Sequence, residues 1–184
     1  MSTEFKTTTE LNEALDWLSA SPKQNGCVDM IVVRPGREQR QELEDCYFSI
    51  EGGAEGDNWV AQKHKVLAGG KPDPIIQVTL MSSRMVDFIA GTKSRWPLAG
   101  DQLFVDFDLS TAHLVPGDKI SIGPVEMEIT PEPHNGCTKF ARRFGDDALA
   151  FVNSLHGKAG RMRGIYAKVV VPGTIKTGDK LNKL

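Results

Sequence analysis

Apolar residues recur at helical spacing near the start of the chain. In "TTELNEALDWLSA", residues 8–20, Leu11, Ala14, Leu15 and Leu18 fall on one face after threonines able to cap, and "SPKQNG" stops the run. This predicts an N-terminal helical extension over residues 1–26. From about residue 27 the pattern changes to short β-type runs: "CVDMIVV", "CYFSIE", "IIQVTL", "QLFVDF", "KISIG", "VEMEIT" and "GIYAKVVV". Gly, Pro and Asp interrupt them in "EGGAEGD", "VPGD", "IGP", "VPGT" and "KTGD", and two strand patterns flank Gly123-Pro124 as in a hairpin. The expected fold is mainly β, one domain over residues 27–184, with turns spaced closely enough for a closed or strongly bent sheet. Two further helices are predicted, "SSRMVDFIAG" after a serine cap and "GDDALAFVNSL".

Composition narrows the function classes. A chain of 184 residues is long enough for one full core. A formal net charge of −2 with 40% hydrophobic residues points away from nucleic acid as a partner. Runs such as "MIVV" are too short to cross a membrane, and the start lacks the basic-then-apolar order of a signal peptide, so a cytoplasmic protein is expected. Three cysteines, at 27, 46 and 137, form neither an even disulfide framework nor a C-x-x-C metal pair.

The candidate chemistry lies in "PHNGCTKFARRFG", residues 133–145. A thiol acts as nucleophile or soft-metal ligand only as thiolate, a form that nearby cations favour. Cys137 has His134 before it and Lys139, Arg142 and Arg143 after it, whereas Cys27 and Cys46 have acidic neighbours and read as core. Gly136 implies a bend or a close backbone approach beside the thiol. On these residues alone Cys137 is either a reactive centre or a packed small residue. A second cationic group, Lys158, Arg161 and Arg163, reads as a solvated face or as an anion site whose arginine forks suit phosphate oxygens. No His or Cys pair has zinc-ligand spacing.

Taken in order, the motifs resemble the MOSC domain, the module named after the C-terminal part of molybdenum cofactor sulfurase. "GGAEGDNW" resembles the family's G-x-x-GD turn, and "IIQVTLMSSRMVDFI" its strand-then-helix segment. The block from "LAGDQLF" to "HNGCTKF" resembles the central block that ends at the family's cysteine; "RFGDDALAFVN" and "RMRGIYAKVVVPGTIKTGD" resemble the closing block of small stand-alone members. The resemblance spans about residues 27–180. It implies a compact β-barrel with a few short helices that binds molybdenum cofactor, a molybdopterin carrying Mo. Cys137 would be the catalytic residue and the metal ligand, with His134, Lys139, Arg143, Arg161 and Arg163 as cofactor-binding candidates. Two activities are implied: partner-dependent reduction of N-hydroxylated compounds, or carriage of sulfur or cofactor. Either needs an external redox partner or sulfur donor, because the sequence shows no flavin, haem or iron–sulfur signature. The rival reading is a non-catalytic β-barrel interaction module with a structural cysteine. Two positions depart from many relatives: Gly136 stands where they carry proline, and "GDQLF" places Gln102 and Leu103 where they carry an Asn.

Overall fold

The computed structural model describes residues 5–62 and 64–184, so the first four residues of the expected extension lie outside it. Seven strands form a closed ring. They are β1 (Gly26–Val33), β5 (Val78–Ser82), β6 (Leu103–Asp106), β7 (Lys119–Ile122), β8 (Val125–Ile129), β9 (Ile165–Val171) and β11 (Lys180–Lys183), in the order β11-β7-β8-β9-β5-β6-β1, with β11 pairing back onto β1 at Gly26↔Leu181. β2 (Gln41–Leu43) pairs with the other end of β1 at Ile31↔Leu43, outside the ring. A second, three-stranded sheet joins β10 (Gly173–Lys176), β3 (Asp45–Ser49) and β4 (Gly53–Ala54). Every pairing in the ring is antiparallel except β5–β6. Joining parallel strands takes a crossover, and the chain supplies it as α4 (Ser83–Ala90) followed by a 3-10 segment, Lys93–Ala99.

Two cores explain the apolar runs. Inside the barrel, Val28, Ile31, Val33, Leu80, Leu103, Val105, Ile120, Met127, Ala167 and Leu181 pack together. Outside it, Met30, Val32, Met81 and Phe104 project from the same strands into a second cluster with Met85, Val86 and Ile89 of α4. Strands β1, β5 and β6 are therefore covered on both faces, which is why they read as unbroken apolar stretches, whereas β8 and β9 largely alternate.

The helix expected over 8–20 is two short ones, α1 (Thr8–Glu13) and α2 (Leu15–Leu18), which meet at Ala14. Thr7 and Glu10 close a capping box on α1. Leu11 and Leu18 are buried in the outer core, so the extension is packed onto the barrel wall rather than appended to it. The predicted helix after Ser82 is found with Ser82 as its cap and Gly91 at its end in left-handed backbone, φ 71°. The Gly123-Pro124 hairpin joins β7 and β8 at Ile122↔Val125. Three helices follow in the closing part: α5 (Thr138–Phe144), α6 (Asp146–Asn153) and α7 (Leu155–Ala159). Only α6 matches an expected helix; α5 lies inside the stretch quoted above, and α7 carries His156. A short α3 (Trp59–Gln62) precedes β5. Among the described residues no helix is long and apolar enough to cross a membrane.

Candidate functional site

Cys137 is positioned by an extended strap, residues 130–137, that leaves the end of β8. Thr130 anchors its start, its hydroxyl donating to the Ile75 carbonyl at 2.7 Å. Farther on, Gly136 is fastened to α6: its N–H donates to Asn153 Oδ1 at 2.9 Å, and Asn153 Nδ2 donates to its carbonyl at 3.2 Å. A Cβ on residue 136 would stand 2.7 Å from Leu149 Cδ1 and 2.9 Å from Val152 Cγ2, so this glycine serves a close approach to α6. The chain then turns into α5, with Cys137 at the N-cap and its carbonyl accepting from the Ala141 N–H at 3.1 Å. Cys137 is exposed; Cys27 is half-buried and Cys46 buried. Burial, then the charge of Asp29, pushes the Cys27 thiol up, and burial pushes Cys46 up to about 11. Desolvation rather than acidic neighbours is thus the main reason these two thiols stay protonated.

On one side of Cys137 the strap covers a buried polar cluster. Asp101 is fully buried and accepts from Arg163 Nη1 at 2.7 Å, while Arg163 Nη2 donates to the Ala99 carbonyl at 3.0 Å and the guanidinium lies 5.2 Å from the Phe140 ring centre. Burial holds the Asp101 carboxyl above the usual carboxylate range, against the opposing pull of Arg163. The His134 ring packs on Tyr166 with centroids 4.4 Å apart. Its Nδ1 lies 3.7 Å from Asp101 Oδ1, too long for a hydrogen bond, and neither atom has another partner. Burial, reinforced by Arg163 and Arg34, pushes His134 well below its ordinary value, so the ring is neutral. Arg161, in left-handed backbone at φ 47°, donates to the carbonyls of Leu109 and Leu114 at 3.3 and 3.0 Å. These two arginines therefore already have protein partners. With His134, Asn135, Thr130 and Lys158 they line a cleft of about 390 Å³.

A separate cationic groove of about 470 Å³ is lined by Arg34, Arg37, Arg40, Asn58, His64 and Lys139. Arg34 is clamped by Asp57, which accepts from its Nε and Nη2 at 2.9 Å each, and Arg40 donates to the Pro97 carbonyl at 3.1 Å. Lys139 and Arg143, one turn apart on α5, both meet Glu38. Arg143 also donates to the Leu98 carbonyl at 2.8 Å. It lines a further pocket of about 330 Å³ with Arg37, Lys139 and Arg142. The cofactor-binding candidates thus divide: His134, Arg161 and Arg163 face the cleft, and Lys139 and Arg143 the groove side. Arg143 lines the groove-side pocket, whereas Arg161 and Arg163 line the cleft.

Sequence reasoning missed Asp101, Glu38, Arg34 and Asp57. The loop "RPGREQR" was legible as a cationic cluster, and the aspartate of "EGD" as a loop residue fit to hold an arginine. Gln102, which stands where many relatives carry Asn, is buried. Its Oε1 accepts from the Thr79 N–H at 2.9 Å and from the Thr79 hydroxyl, so it is turned to the β5 backbone, with Nε2 unpartnered. Among the described residues no group of three His, Cys, Asp or Glu could hold a metal ion. A metal held here would have to bring most of its ligands with it.

Comparison with solved structures gives the same architecture. The YUAD protein from Bacillus subtilis superposes with a TM-score of 0.63 at 16% identity, over 85% of this chain and 94% of that one. YiiM from Geobacillus stearothermophilus matches with a TM-score of 0.59 at 14% identity, over 86% and 75% of the two chains. For YiiM from Escherichia coli the values are 0.54 and 17%, over 86% and 69%. At these identities the likeness establishes the fold. No curated protein matches the chain. The sequence model of the MOSC domain matches residues 76–182, more than half of the chain and including the strap, Cys137 and α5 to α7. The protein belongs to the MOSC domain family.

Proposed function

We propose that the protein binds molybdenum cofactor, with Cys137 as its ligand to the metal. The observation that supports this best is the placement of Cys137: an exposed thiol at the end of a strap fastened to α6, two residues before Lys139, which lines the cationic groove. The donor set fits the group. Molybdenum held by a dithiolene is a sulfur-liking centre that asks one soft ligand of the protein, and one exposed thiol is what the strap offers. Lys139, Arg142, Arg143 and Arg37 supply positive charge for the cofactor's phosphate. Arg163, paired with Asp101, and His134, packed on Tyr166, line the cleft and are further candidates for contact with the cofactor. When bound, the cofactor supplies two-electron or sulfur chemistry at the metal. The chain's own part is to orient the metal through Cys137 and to hold the anion in the groove.

The role proposed with this site is partner-dependent reduction of N-hydroxylated compounds or carriage of sulfur or cofactor, in the cytoplasm. Both use Cys137. The rival reading, an interaction module with a packed structural cysteine, lacks its main support, since Cys137 is exposed. The test is Cys137→Ser in a host that makes the cofactor. Serine at an exposed cap leaves the melting temperature unchanged but is a poor ligand for a soft metal. Molybdenum bound to wild type and lost from the variant supports the proposal; equal molybdenum in both, or none in either, refutes it. Turnover of a hydroxylamine with a reduced dye then separates reductase from carrier.

A further inference from the structure

The loop 34–40, "RPGREQR", places one anion among its cations, and that anion is held in an unusual way. Glu38 has left-handed backbone, φ 60°, a conformation that residues with side chains adopt infrequently. Its carboxylate reaches α5, where Oε1 accepts from Lys139 Nζ at 3.2 Å and Oε2 from Arg143 Nη2. The hydrogen bond from Lys139 and then the charge of Arg143 hold the Glu38 carboxyl below its usual range, so it stays ionised. Glu38 lines both the groove and the neighbouring pocket, and among the described residues it is the one acid in either lining. Around it stand Arg37 and Arg142, for which no acidic partner occurs among the described residues.

We propose that Glu38 is an internal counter-ion that fills the anion position between Lys139 and Arg143 of α5 and swings aside when a phosphate-type oxyanion enters. Its carboxylate presents two oxygens to two cations, as a phosphate would, and marks where the ligand's oxygens bind. Its side chain is 52% exposed, so its ion pairs are open to solvent and easily exchanged. A ligand of higher charge displaces it because it also engages Arg37 and Arg142. In the empty protein the latch offsets part of the groove's positive charge and disfavours weakly charged competitors. The inference takes the identity of its ligand from the cofactor reading and adds a gate to that same site.

Inorganic pyrophosphate is the probe, titrated calorimetrically at fixed low ionic strength. Glu38→Gln keeps the shape and removes the competing charge, so it should tighten pyrophosphate binding about fivefold or more over wild type, as removal of a competing closed state requires. Glu128→Gln, which removes a partly exposed ion-paired carboxylate on β8, changes net charge by the same amount and should leave affinity unchanged. Equal affinity of wild type and Glu38→Gln, equal tightening in both variants, or no pyrophosphate binding by either form would overturn the latch. Tightening in Glu38→Gln in a protein that retains no molybdenum would instead leave the latch standing and remove the cofactor reading.

Discussion

Replacing Arg163 by methionine isolates the buried pair behind the strap. Methionine fills much of the same volume but leaves Asp101 in its dry site without its partner. Asp101 must then be neutral in the folded protein, because burial already raises its pKa and Arg163 is the first of the influences opposing that rise. Keeping a carboxyl protonated at pH 7 against an unfolded value near 3.9 costs about 4 kcal/mol, a ceiling for the variant's loss because wild type, with its own raised pKa, already bears part of it. This agrees with the roughly 3–5 kcal/mol found when one side of a buried pair is removed. For a chain of this length the melting temperature should fall by about 6–20 °C. The sign with pH follows from a folded pKa above the unfolded one: the penalty is absent below the unfolded value and grows as pH rises toward the folded value. At pH 5 it should shrink to about 1.5 kcal/mol. Urea unfolding of wild type, Arg163→Met and Asp101→Asn/Arg163→Met at pH 5 and 7 tests this, with the double variant regaining most of the loss. If Arg163→Met melts within about 2 °C of wild type at pH 7, or if the double variant is as unstable as the single one, the pair is not the buried keystone described here.

Alkylation near neutral pH with peptide mapping should label Cys137 first, Cys27 more slowly and Cys46 last, because only Cys137 is exposed and burial raises the other two thiols. Early labelling of Cys46 would show that the three-stranded sheet opens more readily than its packing implies. His134, buried and neutral, gives the opposite pH trend to Asp101: its folded pKa lies below its unfolded value, so its contribution is complete above about pH 6.5 and is lost as pH falls. Stability should drop by up to about 2 kcal/mol between pH 7 and 5 from this residue, and His134→Gln should flatten that part of the profile; an unchanged slope would mean the ring charges in place.

Local signals were legible in the sequence. Ser82 and Gly91 mark both ends of α4, and Gly123-Pro124 marks a hairpin, because each depends on neighbouring residues only. Helix α5 was not foreseen because its N-cap, Cys137, makes no side-chain capping bond and "TKFARR" read as a cationic cluster. Strands β10 and β11 are four residues each and owe their existence to partners far away in the chain. For the site, Cys137 and its cations could be named from one stretch. That Arg163 serves Asp101, 62 positions away, and Arg143 serves Glu38, 105 positions away, is a property of the closed barrel that one sequence does not express.

The seam between β1 and β11 bears on how this chain is made. The ring closes where residue 26 meets residue 181, so the first strand to emerge during synthesis cannot complete its pairing until the last one has appeared. Until then that end of β1, flanked by the apolar run Met30–Val33, offers free backbone N–H and C=O groups to any passing strand. Contacts this distant also slow closure. Aggregation during overexpression should therefore respond to changes at Leu181, which is fully buried in the seam, more than to changes of similar size in α1. The vulnerable interval is the one before the barrel's last stave is in place.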